Sequence, residues 1–148
     1  MNSLKISLPF RACSFQQGHM RYKTPKQEAF SVAIVKEIFH RSAEFAAFFD
    51  GFDPKTDVLV TRWVFIYKNF FTKKDGTVSQ QTLDLDNSIK NVQDEFFKAF
   101  KVLNDSQVVH TECAKWEGDE DEIIFAINIM KRDEFKTYFK EFKESLLL

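Results

Sequence analysis

Cysteine, proline and glycine are all scarce: two, three and four residues in a chain of 148. Cys13 and Cys113 stand far apart with no CxxC spacing, which excludes a disulfide-stapled scaffold and a cysteine zinc site and fits reduced thiols. Gly18, Gly51, Gly76 and Gly118 are isolated from one another. No phosphate-cradling P-loop and no dinucleotide fingerprint can therefore be built. His19, His40 and His110 show no metal-ligand spacing, and no serine or cysteine lies in a nucleophile motif. No apolar run approaches a membrane span and the N-terminal residues lack a signal-peptide h-region, so the expected setting is the cytoplasm. The net charge is −1, which removes any global electrostatic pull on nucleic acid.

What the chain does have is phenylalanine, 18 of them, recurring at core-like spacings. The length suits one domain, residues 1–148, with room for a proper core. Charge is segregated along it. Residues 1–41 carry seven basic side chains against two acidic, and residues 104–122 carry seven acidic against Lys115 alone. Such a pattern permits a basic face beside an acidic pocket.

Alternation of Leu4, Ile6 and Leu8 with polar residues predicts a half-buried strand over 4–8, ended by Pro9. Residues 11–24 lack a period and read as a loop, in which Arg21 and Lys23 flank Tyr22. Thr24-Pro25 is a good helix start, a hydroxyl cap followed by proline at the first helical position. The apolar face from Phe30, Ala33, Ile34 and Ile38 continues through Phe45, Phe48 and Phe49, and Gly51 and Pro54 close it. Residues 57–67 are apolar on both faces, which predicts a central strand in which Arg62 needs a partner or an edge. Residues 68–83 read as a loop, net basic through Lys68, Lys73 and Lys74. From Asn87, the positions Ile89, Val92, Phe96, Phe100 and Leu103 form one helical stripe. Residues 107–115 and 122–130 predict two strands joined by an acidic hairpin tip at 116–121. Phe135, Tyr138, Phe139, Phe142 and Leu146 predict a C-terminal amphipathic helix in an extension covering 131–148, laid on the sheet or against a second subunit. The fold class is α/β (α+β), a mixed sheet with helices packed on it.

The chemistry gathers at Asp84-Leu85-Asp86-Asn87-Ser88-Ile89-Lys90 and at Asn104-Asp105. Residues two apart in an extended segment point the same way, so Asp84 and Asp86 can share one cation. Asp86, Lys90 and Asp94 follow at i, i+4 steps along one helix face. A helix-to-strand return brings in Asp105. Three clustered carboxylates repel and raise one another's pKa, a conflict that a divalent cation removes. A plainer reading of the same residues is open: Asp86 as a helix N-cap worth about 1 kcal/mol, a surface pair with Lys90, and Asp105 as turn chemistry.

Asp84-Leu85-Asp86-Asn87 with Lys90 and Asp94, followed by Leu103-Asn104-Asp105-Ser106-Gln107-Val108-Val109, resembles the RusA family of Holliday junction resolvases. Ile6-Ser7-Leu8-Pro9-Phe10 and the Thr24-Pro25 start before Ala29-Phe30 add to the likeness, which covers roughly residues 4–130 of the sequence. The resemblance implies a homodimeric, Mg²⁺-dependent endonuclease, with Mn²⁺ able to substitute, that nicks opposing strands of a four-way DNA junction. It implies Asp84, Asp86 and Asp105 as metal ligands and Lys90 acting on the scissile phosphate. Arg11, Arg21, Lys23, Lys73 and Lys74 are the candidate DNA contacts. The chain departs from the family in three places. Asn104 stands where many members have aspartate, Ser79-Gln80-Gln81-Thr82-Leu83 replaces a basic run, and Arg11-Ala12-Cys13-Ser14 replaces a proline-rich turn. The alternatives are a catalytically idle relative that only binds branched DNA, a metal nuclease for flaps or other branched substrates, and a dimeric interaction module.

Overall fold

The computed structural model describes residues 2–11, 25–68, 72–78, 85–99 and 104–147. Its elements run β1 (Asn2–Leu8), α1 (Pro25–His40), α2 (Ser42–Phe49), β2 (Asp57–Lys68), α3 (Leu85–Ala99), a 3₁₀ turn (Asp105–Gln107), β3 (Val108–Gly118), β4 (Glu122–Lys131) and α4 (Arg132–Ser145). The four strands form one mixed sheet in the order β1-β4-β2-β3. β4 runs antiparallel to both β1 and β2, and β3 runs parallel to β2. The α+β class and the single sheet thus agree with the sequence. No helix among the described residues is long and apolar enough to cross a membrane.

β2 is the central strand its two-sided apolar pattern predicts. Side chains alternate across a strand, so Thr61, Trp63, Phe65 and Tyr67 all enter one face, and each is buried. In register beside them lie Ile127, Phe125 and Ile123 of β4, then Leu4, Ile6 and Leu8 of β1. Trp63 stacks on Phe125 with ring centroids 4.3 Å apart. Phe96 of α3 meets the same Phe125 edge-on at 4.8 Å, and Phe45 of α2 meets Phe96 at 5.6 Å. The core therefore sits between this face and helices α1 to α3. Each fully buried apolar side chain in it contributes roughly 1.5–3 kcal/mol. On the opposite face Arg62 finds its partner across the register in Glu112, at 3.2 Å.

Three expectations change. The apolar face over residues 30–49 is carried by two helices, broken at Arg41, whose guanidinium binds Glu44 and the Lys5 carbonyl. The face survives the break because each helix turns its phenylalanines or isoleucines to the same sheet.

β3 and β4 are not a hairpin either. Each pairs with β2, on opposite sides of it, and residues 119–121 arch across the end of β2. A Cβ at Gly118, where the arch begins, would sit 2.5 Å from Ile66 Cγ2, so the close approach there requires glycine. The carboxylates of the arch, expected to be loose in solvent, are held: Asp121 accepts from the Lys68 N–H and from Arg11, and Glu120 pairs with Lys68 Nζ.

α4 lies on the sheet face opposite the other helices. The His110 ring packs edge-on against Tyr138 and Phe142, at 5.3 and 4.7 Å. That covers one end of the face, where Val60 is fully buried, and leaves Val64 and Trp116 partly exposed. The strand histidine is thus a packing residue beneath α4.

Candidate functional site

α3 is set by its own stripe and by the end of β2. Val92 and Phe96 enter the core with Ser88, Asn91 and Glu95 buried on the same side. Lys90 and Lys98 remain exposed and Asp94 is half-buried. Asp86, the second residue of α3, starts a row continued at four-residue intervals by Lys90, Asp94 and Lys98. At 1.5 Å per residue this row climbs about 18 Å from Asp86 to Lys98. Near its start the Tyr67 hydroxyl lies 3.5 Å from Ser88 Oγ, a long contact between two buried groups that ties β2 to the first turns of α3.

Asp105 opens the 3₁₀ turn that leads into β3. Asn104 holds it there. Its side-chain oxygen accepts the Ser106 N–H at 2.9 Å, and its own N–H donates to Gln107 Oε1 at 2.9 Å. The residue that departs from the family pattern thus acts as a cap for the turn that presents Asp105. Because β3 joins the edge of the sheet beside β2, the turn comes up against α3 rather than on the far face.

Asp105 meets the α3 row at Asp94 and Lys98. A recess of about 280 Å³ is lined there by Asp94, Phe97, Lys98, Asn104 and Asp105. Burial raises the Asp94 carboxyl above the ordinary carboxylate range. The Lys90 and Lys98 ammoniums pull it down, and the charges of Asp105 and Glu95 push it up. Asp94 therefore feels both Lys90, one turn before it, and Asp105 across the recess. The i, i+4 row and the family likeness both single out Asp94 in the sequence, but neither gives it a role in the site.

Of the residues singled out in the sequence, Lys90 and Asp105 are thus brought to one side of the sheet, with Asp94 between them. Asp84 lies outside the described residues, as does the side chain of Asp86. Among the described residues no three of histidine, cysteine, aspartate and glutamate converge closely enough to hold a metal ion. Arg21 and Lys23 also lie outside the described residues. Lys73 and Lys74 sit exposed on a tight turn closed by the Lys73 N–H to the Thr77 carbonyl, with Gly76 at φ +83°. Glu117 of β3 binds Thr72 through its backbone N–H at 3.1 Å and its hydroxyl at 2.7 Å, which docks that turn beside the arch.

Arg11 is engaged within the molecule. Its Nε donates to Asp121 Oδ1 at 2.9 Å, an Nη donates to the Lys68 carbonyl at 3.0 Å, and its guanidinium lies 5.6 Å from the Tyr67 ring centroid. The basic early segment and the acidic late one, segregated in sequence, meet here.

The arrangement offers hard oxygen donors and ammonium groups along one helix face, the donor types that suit a hydrated divalent cation and a phosphate. The carboxylates of Asp94 and Asp105, lining one recess, are of the oxygen-donor type that a hydrated divalent cation takes. In a comparison with known families, the profile of the endodeoxyribonuclease RusA matches residues 11–128. No curated protein matches the chain at a significant level.

Proposed function

From the chain's membership of the RusA family of endodeoxyribonucleases, an enzyme family that acts on Holliday junctions, we propose that it resolves four-way DNA junctions by Mg²⁺-dependent phosphodiester hydrolysis, in recombination and repair. Asp84, Asp86 and Asp105 would hold the cation, for which Mn²⁺ would substitute. When bound, it supplies positive charge to the scissile phosphate and lowers the pKa of water beside it. Lys90 faces the same phosphate and stabilises charge on its non-bridging oxygens as the water oxygen bonds to phosphorus and the P–O bond to the leaving strand breaks. Asn104 keeps Asp105 at the mouth of its turn. The exposed Lys73 and Lys74, with Arg21 and Lys23, neutralise backbone phosphates of the junction arms. The protein works as a homodimer in the cytoplasm, two sites cutting the two opposing strands.

The observation that supports a site along α3 is the closeness of Asp94 to both Lys90 and Asp105. The parts of Asp84 and Asp86 rest on the family likeness, since Asp84 and the Asp86 side chain lie outside the described residues. The test is incubation of the protein with labelled four-way junction, flap and linear duplex, with and without Mg²⁺. Paired symmetric nicks in the junction, dependent on Mg²⁺ and lost in Asp86→Asn, are expected. Binding without cutting by the folded protein would instead identify an idle relative, and preferential cutting of the flap a nuclease for other branched DNA.

A further inference from the structure

The start of α3 is held from a distance. Asp121, in the arch between β3 and β4, uses Oδ1 to accept both the Arg11 Nε–H and the Lys68 backbone N–H, each at 2.9 Å. Arg11 closes the ring by donating to the Lys68 carbonyl. Residue 68 thus has its N–H and its C=O bound by the same ion pair, and this fixes the last residue of β2. The Arg11 guanidinium also lies over Tyr67, whose hydroxyl meets Ser88. Ser88 is fully buried, two residues after Asp86 and two before Lys90.

We propose that Arg11, Asp121 and Tyr67 form a positioning bridge that sets the placement of the first turns of α3, and with it Asp86 and Lys90. This rests on the proposed nuclease site. None of the three touches the reacting atoms, so they are positioning residues. An arginine is required at position 11 because a planar fork can meet a carboxylate and a carbonyl together while its face lies on a ring; a lysine ammonium cannot do all three. Burial raises the Tyr67 phenol further above its ordinary value, so its hydroxyl stays protonated beside Ser88. The Asp121 carboxyl is pushed up by burial but pulled further down by the Lys68 N–H and by Arg11, so it stays ionised. The consequence for catalysis is steep, since a misplacement on the order of 1 Å can cost about a hundredfold in rate.

The test compares the full chain with Arg11→Gln and Tyr67→Phe. The first readout is hydrogen exchange of the backbone amides of residues 89–92, which close the first turns of α3. Faster exchange there is expected in Arg11→Gln and Tyr67→Phe, with β4 amides unchanged. The second readout is cleavage of four-way junction: the rate at saturating DNA should fall about tenfold in Arg11→Gln, with the dissociation constant for the junction unchanged. Tyr67→Phe keeps the ring and so decides the matter should Arg11→Gln fail to fold. Unchanged exchange over 89–92 in the folded variants overturns the bridge. So does weakened junction binding with an intact saturated rate, which would make Arg11 a DNA contact. Exchange needs no cleavage, so a wild-type protein that cuts nothing would remove the nuclease reading and leave the bridge to be judged by exchange alone.

Discussion

Lys131 Nζ lies 2.7 Å from Asp57 Oδ1, joining the last residue of β4 to the first of β2 where α4 begins. The Asp57 carboxylate is buried and also accepts the Asp53 N–H and the Thr56 hydroxyl. Burial pushes its pKa up, but these donors and the ammonium outweigh it and hold the group below its ordinary value. Lys131 is shifted up by the same bond.

Replacing Asp57 by alanine removes a buried acceptor that three donors share. The variant is expected to lose about 1–3 kcal/mol of unfolding free energy at neutral pH, measured by urea denaturation.

Acid should act on the same group. A carboxyl with a lowered native pKa stabilises the fold above its unfolded value of about 3.9, and that contribution is lost as pH falls through the native value. Asp121 behaves alike. Lys131, raised, contributes below its unfolded value of about 10.4 and loses it only as pH rises past the native one. Thermal melting should therefore be level across neutral pH and fall below about pH 4, with a smaller fall in Asp57→Asn.

Asp94 carries the opposite sign. Its native pKa is raised, so as an anion it opposes folding at neutral pH. Asp94→Asn is expected to melt at a higher temperature than the parent at pH 7. The difference should vanish as pH falls below the ordinary aspartate value, where both side chains are neutral. Melting curves at the two pH values check it.

Asn104→Ala removes the cap that holds the Asp105 turn. The expected stability cost is about 1 kcal/mol, measured by urea denaturation. Cleavage should suffer more than stability, because a carboxylate assigned to the cation loses its fixed position.

Trp63 fills the middle of the core against Phe125 and Phe65. Trp63→Ala should cost about 3–5 kcal/mol, with the chain still able to fold only if its total stability exceeds that figure.

The strands were legible in the sequence because alternation reports which residues share a face. Alternation does not report partners. Residues 107–115 and 122–130 read naturally as a hairpin, yet β2 lies between them, and only its own strongly apolar pattern hinted that it needed neighbours on both sides. The break at Arg41 leaves no mark in the pattern for a related reason: the phenylalanine spacing carries the buried face across it. In the site, the i, i+4 row from Asp86 to Asp94 could be read directly, and so could the return to Asp105. What could not be read was where that return lands. Asp105 meets the row at Asp94, two turns along from Asp86, because β3 enters the sheet beside the start of β2. The ion pair of Arg11 with Asp121 spans 110 residues, and no local pattern announces a contact of that range.

β1 hydrogen-bonds along its whole length to β4, the last strand among the described residues. The earliest strand of the chain therefore waits, without a mate, through the synthesis of more than a hundred residues. So non-local a pairing makes for slow closure of the sheet. During translation this protein should stay open to chaperones and proteases until β4 has emerged, after which protection should arrive in a single late step.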